Sequence, residues 1–205
     1  MDNITKLTTD EELAVEAQTG SRRCFEELIA RYSSKLYHFL RPKISNVSDV
    51  EDIIQETFYK LYKNIFRYDP KWKFSTWIYT AVNRQAISHY RSKKNKPIQG
   101  LPVQMNYDKD PVDTLIQETQ NQNLWKLARK LKPNQYEALW LRYVEDLPLK
   151  EIARIMHKSH TAARIIIHRA RLNLGKQFQQ DPEFKQSPIP SNSEGQNMLY
   201  RENRG

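Results

Sequence analysis

The 205-residue chain has a net charge of +9, with 39% hydrophobic and 28% charged residues, proportions that suit small helical units better than one large core. No apolar run approaches the roughly 18 residues needed to cross a bilayer, and the opening MDNITKLTTDEELAVEAQ lacks the apolar stretch and cleavage site of a signal peptide. A single cysteine, Cys24, allows no internal disulfide, so membrane insertion and secretion are not expected and a reducing cytoplasm is.

Thr9 with Glu12 forms a capping box for a short first helix. Gly20 and Ser21 separate it from a longer one, in which Phe25, Leu28, Ile29, Tyr32, Leu36, Phe39 and Leu40 recur every three or four residues until Pro42. Cys24 sits beside Phe25 and Leu28, a packing position. Ser48 with Glu51 caps the next helix, DVEDIIQETFYKLYKNI, whose apolar face is Val50, Ile53, Ile54, Phe58, Leu61 and Ile65. Opposite lies the acidic stripe Asp52, Gln55, Glu56 and Tyr59, which taken by itself reads as a solvated face with a Glu56–Lys60 pair.

FRYDPKWKF is a loop, because Pro70 blocks continuation of the helix, and Ser75 caps a fourth helix running to about Arg91. From Lys71 to Lys96 there are seven Lys or Arg and no acidic residue. Ile78, Ala81, Val82 and Ala86 make a narrow seam, while Thr76, Tyr79, Thr80, Asn83, Ile87, Tyr90 and Arg91 share another face. Rings beside cations suit unpaired nucleic acid, with bases stacking while Lys and Arg follow phosphates, and the Asn83 amide can bond the edge of an extruded base. Trp77 adjoins the apolar seam and reads as core; Phe74 and Tyr79 are compatible with either a core or a stacking role.

Periodicity dissolves over 96–121, a linker punctuated by Pro97, Gly100, Pro102 and Pro111. Helices resume with Leu124, Leu127 and Leu131, then Tyr136, Leu139, Trp140 and Tyr143 after Pro133. LPLKEIARIMHKSHTAARIIIHRARLNL reads as a helix-turn-helix. Its second helix is anchored by Ala163, Ile166, Ile167, Ala170 and Leu174, and His160, Thr161, Arg164, His168, Arg169 and Arg171 project outward. A basic surface helix of any bundle has a similar look, but from Arg154 to Lys176 there are six further cations and again no acid. With both segments set aside the chain has 20 basic and 24 acidic residues, a balance of −4, so two electrostatic footprints for a polyanion stand on a mildly acidic body. Residues 181–205 are polar and rich in Pro, Ser and Asn, and are expected to be disordered.

The expected architecture is all-α: an N-terminal helical domain over 1–95, a flexible linker over 96–121, a helix-turn-helix domain over 122–180 and a tail. No catalytic constellation, cofactor motif or metal spacing is found; His157, His160 and His168 fall on different faces of two helices.

Three segments in this order, DVEDIIQETFYKLYKNI, FSTWIYTAVNRQAISHYR and EIARIMHKSHTAARIIIHRARLNL, resemble the extracytoplasmic-function group of bacterial sigma-70-type sigma factors over about residues 10–180. The resemblance implies a non-catalytic promoter-specificity subunit of RNA polymerase, with an anti-sigma factor as a further partner. It implies that Asp49, Asp52, Gln55, Glu56 and Tyr59 dock on the clamp of the largest core polymerase subunit. Phe74, Thr76, Tyr79, Thr80, Asn83, Arg84, Arg91, Lys93 and Lys94 would take the separated −10 element, and the last helix would read the duplex −35 element. Three departures stand out: Ser88 where the family commonly has Asp, Thr161-Ala162-Ala163 for Gly-Thr-Val, and Ile165 and Ile166 for Ser and Arg. The rival reading is a stand-alone helix-turn-helix regulator with an N-terminal sensing or dimerisation domain. It gives the cation–aromatic segment nothing to do.

Overall fold

The computed structural model describes residues 9–93 and 122–180; the expected linker, the tail and Lys94 lie outside them. The described residues are all-helical, without strands. α1 spans Asp10–Gln18, α2 Arg22–Leu40, α3 Val47–Lys63 and α4 Phe74–Lys93, with a 3-10 turn at Ile65–Arg67. After the linker come α5 (Gln122–Ala128), α6 (Pro133–Tyr143), α7 (Leu149–Ile155) and α8 (His160–Gln180).

Helix starts follow the free backbone N–H groups. The capping box forms at α1, Thr9 Oγ1 accepting from the Glu12 N–H and Glu12 from the Thr9 N–H. Ser21 caps α2, and Gly20 before it adopts φ +104°, a conformation glycine takes without penalty. Two expected caps are corrected. α3 begins at Val47 with Asn46 accepting from the Asp49 N–H, so Ser48 falls inside the helix and Glu51 turns inward. α4 starts at Phe74 rather than after Ser75, and the Phe74 N–H donates to Glu11 at 2.9 Å. A carboxylate from α1 thus serves the N-terminus of α4, where negative charge is favoured, and a cap 63 residues away is invisible to local pattern. Ile65, expected on the α3 stripe, begins the 3-10 turn.

α1 also braces the loop before α4. The Gln18 side-chain amide donates to the carbonyls of Ile65 and Tyr68 at 2.9 and 2.8 Å. At its other end Asp10 takes the Tyr32 hydroxyl at 2.6 Å and Arg31 at 2.8 Å.

The largest departure from expectation is in how the two halves relate. They share one continuous apolar core: Phe39 and Tyr79 from α2 and α4 belong to the same buried cluster as Tyr136 and Trp140 from α6 and Ile152 and Ile155 from α7. Aromatic side chains buried this fully contribute on the order of 2–3 kcal/mol each. The docking is a packed contact rather than two bodies touching at a polar rim.

Candidate nucleic-acid and partner interfaces

α7, a tight turn and α8 make the expected helix-turn-helix. The turn is a Schellman closure: the Lys158 N–H bonds the Ala153 carbonyl at 2.9 Å and the His157 N–H bonds that of Arg154 at 3.2 Å. His157 occupies the left-handed position, φ +52°, where a side chain other than glycine is strained. Ser159 then caps α8 by accepting from the Ala162 N–H. Ala163 and Ala170 are fully buried, so α8 lies close against its neighbours. His160, Thr161, Arg164, His168 and Arg169 are exposed together along one side, Arg171 is half-buried, and Ile165 stands exposed among them while Ile166 is half-buried against the core. The helix presents cations, hydroxyl and imidazole donors and the branched apolar side chains of Ile165 and Leu172, with no carboxylate. That set suits a major groove, where Arg meets guanine and an apolar group meets a thymine methyl.

The α4 face is different. Of the two roles left open for the Phe74 and Tyr79 rings, both take the core one. Phe74 is completely buried, its ring 5.4, 5.7 and 5.9 Å from those of Tyr32, Tyr68 and Trp77, all in its own half. Tyr79 packs on Phe39 at 4.8 Å and is equally inaccessible. With no acid between Lys71 and Lys96 to mark an inside and an outside, composition alone could not assign these rings.

Three polar groups of this face point toward the second half, and each is met there by a carboxylate. The Tyr79 hydroxyl donates to Glu145 at 2.9 Å and accepts from the Trp140 indole at 3.0 Å. Thr76 is hydrogen-bonded to Glu151. The Asn83 amide nitrogen donates to Glu137 at 2.6 Å and to the Ile155 carbonyl at 3.3 Å, while its oxygen accepts from Lys43 at 3.0 Å. Lys43 also pairs with Glu137 at 2.9 Å, and Lys35 lies 3.5 Å from Glu145. Burial raises the Glu145 carboxyl above its usual range, against the pull of Lys35 and Tyr79, and burial lowers the Lys43 ammonium although Glu137 favours its charge. Trp72, on the preceding loop, has the Arg154 guanidinium 4.7 Å over its ring. Thr80 is half-buried, its hydroxyl returned to the Thr76 carbonyl, and Arg84 and Arg91 are exposed.

The α3 face carries the third candidate surface. Asp52, Gln55 and Tyr59 are exposed and Glu56 is half-buried; with Ile53, Gln85 and His89 they line an open groove between α3 and α4. Lys60 pairs with Glu56 at 3.1 Å and donates to Gln85 at 2.8 Å, and His89 lies 3.5 Å from Asp49. Tyr62 and Phe66, which no helical stripe singled out, also expose their rings. Tyr62 lies off the apolar face of α3 and Phe66 in the 3-10 turn, where the three-to-four period has ended. No group of three or more metal-ligating side chains occurs among the described residues, and none of their helices is long and apolar enough to cross a membrane.

The family model for sigma-70 region 2 matches residues 28–96, and that for sigma-70 region 4 matches residues 121–174. Among similar proteins, the ECF RNA polymerase sigma factor SigW of Bacillus subtilis is 28% identical over 174 residues, which are 80% of this chain and 93% of SigW. CarQ of Myxococcus xanthus, an RNA polymerase sigma factor, is 30% identical over 73% of this chain and 86% of its own. The ECF sigma factor BldN of Streptomyces coelicolor is 27% identical, and the match spans 66% of its length. Among solved structures, CnrH in complex with the cytosolic domain of CnrY shares the fold, with a TM-score of 0.57 at 23% identity over 84% of this chain and 98% of that one. The two matched regions coincide with the two acid-free cationic segments and their supporting helices, and the chain belongs to the extracytoplasmic-function sigma factors of RNA polymerase.

Proposed function

We propose that this sigma factor is the non-catalytic promoter-specificity subunit of a cytoplasmic RNA polymerase, holding core enzyme through α3 and promoter DNA through α4 and α8. The observation that carries the reading is the pairing of a duplex-type basic helix face on α8 with a second cationic segment on α4 whose polar row, Thr76, Thr80 and Asn83, is of the kind that bonds base edges. Asp49, Asp52, Gln55, Glu56 and Tyr59 form the polymerase-docking face, an acidic and aromatic surface that attracts a basic partner and repels DNA. Arg84, Arg91, Lys93 and Lys94 follow phosphates near the −10 element, and His160, Thr161, Arg164, His168, Arg169 and Arg171 contact the −35 element. Phe74 is left out of this set because rings of its own half enclose it, and Tyr79 contributes its hydroxyl rather than its ring face.

The relative CnrH has been solved with the cytosolic domain of CnrY, and the sigma factor RpoE of Bartonella quintana with the anti-sigma factor NepR; a protein inhibitor docking on this chain is the corresponding proposal. The deciding experiment is transcription by purified core polymerase from a promoter library randomised at both elements, with and without the chain. Enrichment of transcripts from particular −10 and −35 sequences is expected only when the chain is present; tight duplex binding by the chain alone, with no effect on core polymerase, would leave the regulator reading in its place. Asn83→Ala is expected to reduce strand opening, read by permanganate reactivity, more than closed-complex formation, read by mobility shift. Equal losses in both remove Asn83 from the opening role.

A further inference from the structure

We propose that Ile165 is a specificity-determining residue of α8, reading the C5-methyl group of a thymine in the −35 element. The proposal rests on the sigma factor reading above and adds the base feature that this helix selects. Ile165, Ile166 and Ile167 follow one another in α8 and part ways: the last two pack against the core, while Ile165 stays 44% exposed. The core therefore does not call for it. Helix formation does not favour it either, because a β-branched side chain loses rotamer freedom against the preceding turn.

Its neighbours set what it can meet outside the chain. Thr161 stands one turn before it and Arg169 one turn after, with Arg164 and His168 beside it, and all four are exposed. On a side of donors and cations, phosphates and base acceptors answer every one of these groups except Ile165. The apolar group that a major groove offers is a pyrimidine C5-methyl, carried by thymine and by 5-methylcytosine. Ile165 is the sixth residue of α8, about 9 Å along its axis and so inside a groove about 12 Å wide. Leu172, also exposed, lies about 10 Å further on, beyond that width. The same side chain excludes as well as attracts. It can neither donate nor accept, so a pair presenting a polar group at that place would leave the group unpaired.

The test is a methyl scan. Core polymerase carrying the full chain selects its −35 element from an unmodified duplex library randomised there. Each thymine of the selected element, on either strand, is then replaced singly by deoxyuridine, which removes the methyl and keeps every hydrogen-bonding group. Closed-complex binding, read by mobility shift, is expected to weaken about fourfold at one position, the worth of one buried methyl. That preference should vanish in Ile165→Ala and in Ile165→Ser and persist in Leu172→Ala. The readout is a ratio of two probes for one protein, so a variant that folds or assembles less well still reports it. Absence of any methyl-sensitive position, or a sensitivity that survives both Ile165 variants, overturns the proposal. A selected element without an A·T pair, bound more tightly once its cytosines carry 5-methyl groups, would transfer the contact to 5-methylcytosine and overturn the thymine assignment.

Failure of this inference and failure of the sigma factor reading look different. Should the chain leave core polymerase unaffected, the scan is run on duplex selected by the full chain alone. Methyl sensitivity lost in Ile165→Ala then upholds the role of Ile165 while the sigma factor reading falls. Transcription that depends on the chain and on its −35 sequence, with no dependence on any methyl, keeps the sigma factor reading and removes Ile165 from base recognition.

Discussion

Asn83 illustrates what one residue can and cannot disclose. An asparagine among aromatics and cations signals hydrogen bonding to something, because its amide offers donors and an acceptor at once. The sequence suggests a base edge; the structure gives both ends of the amide protein partners, Lys43 on the oxygen and Glu137 and the Ile155 carbonyl on the nitrogen. Those partners lie 40, 54 and 72 residues away, beyond any local spacing rule. Phe74 went unread for the opposite reason. Its neighbours Tyr68 and Trp77 were visible, but α2 supplies the Tyr32 ring that closes the shell. His157 gives a prediction at the same scale. Its left-handed backbone costs a residue with a Cβ about 1–2 kcal/mol that glycine does not incur. His157→Gly should therefore raise stability by about 1 kcal/mol, seen as a rise of roughly 2–4 °C in melting temperature for a chain of this size. An unchanged or lower value would mean that the imidazole makes a compensating contact.

At the level of elements, the sequence was most readable where period and punctuation agree. α2 with its stop near Pro42, α6 behind Pro133, and the α7–turn–α8 unit lie where three-to-four spacing and breakers put them. Boundaries fixed by distant groups were not readable, above all the start of α4. α1 is the instructive case, since its sequence reads as a short capped helix with no evident task. In the structure Glu11 serves the free N–H at the head of α4 and Gln18 ties two carbonyls of the loop before it. Losing a helix-capping carboxylate typically removes about 0.5–2 kcal/mol, and leaving two half-buried carbonyls without their donor removes a similar amount. Glu11→Ala and Gln18→Ala should each lower the melting temperature by a few degrees, roughly 2–4 °C per kcal/mol. Both should also speed hydrogen exchange at the first amides of α4. Exchange unchanged there would show that α1 is packing alone.

For the whole molecule, helical class and the order of the two functional halves could be read from charge blocks and periodicity, but their union could not. Of the residues that join the halves, Tyr136 and Trp140 fit the apolar stripe of their own helix and Tyr79 falls on the polar face of α4, so nothing marks them as shared. Glu145 supplies a pH test of that union. It faces Tyr79 and Lys35, with Asp10 and Tyr32 near enough to act on the same cluster, and burial raises its carboxyl pKa above the usual value. A raised pKa means that the folded state prefers the protonated form. The stability linked to it is complete below the ordinary carboxylate value, near 4.3, and is lost as pH rises through the raised one. Glu145→Gln, which resembles the protonated acid, should melt higher than wild type at neutral pH, with the gap closing on acidification. A gap independent of pH would place the effect elsewhere.

Asn83 is held by protein at both ends of its amide, and the base edge proposed for it needs the same donor and acceptor. Aspartate would answer Lys43 but confront Glu137, and leucine would take a hydrogen bond from each. On the proposed reading such a position answers to amino acids and to nucleotides in turn, and only a side chain carrying both a donor and an acceptor meets both.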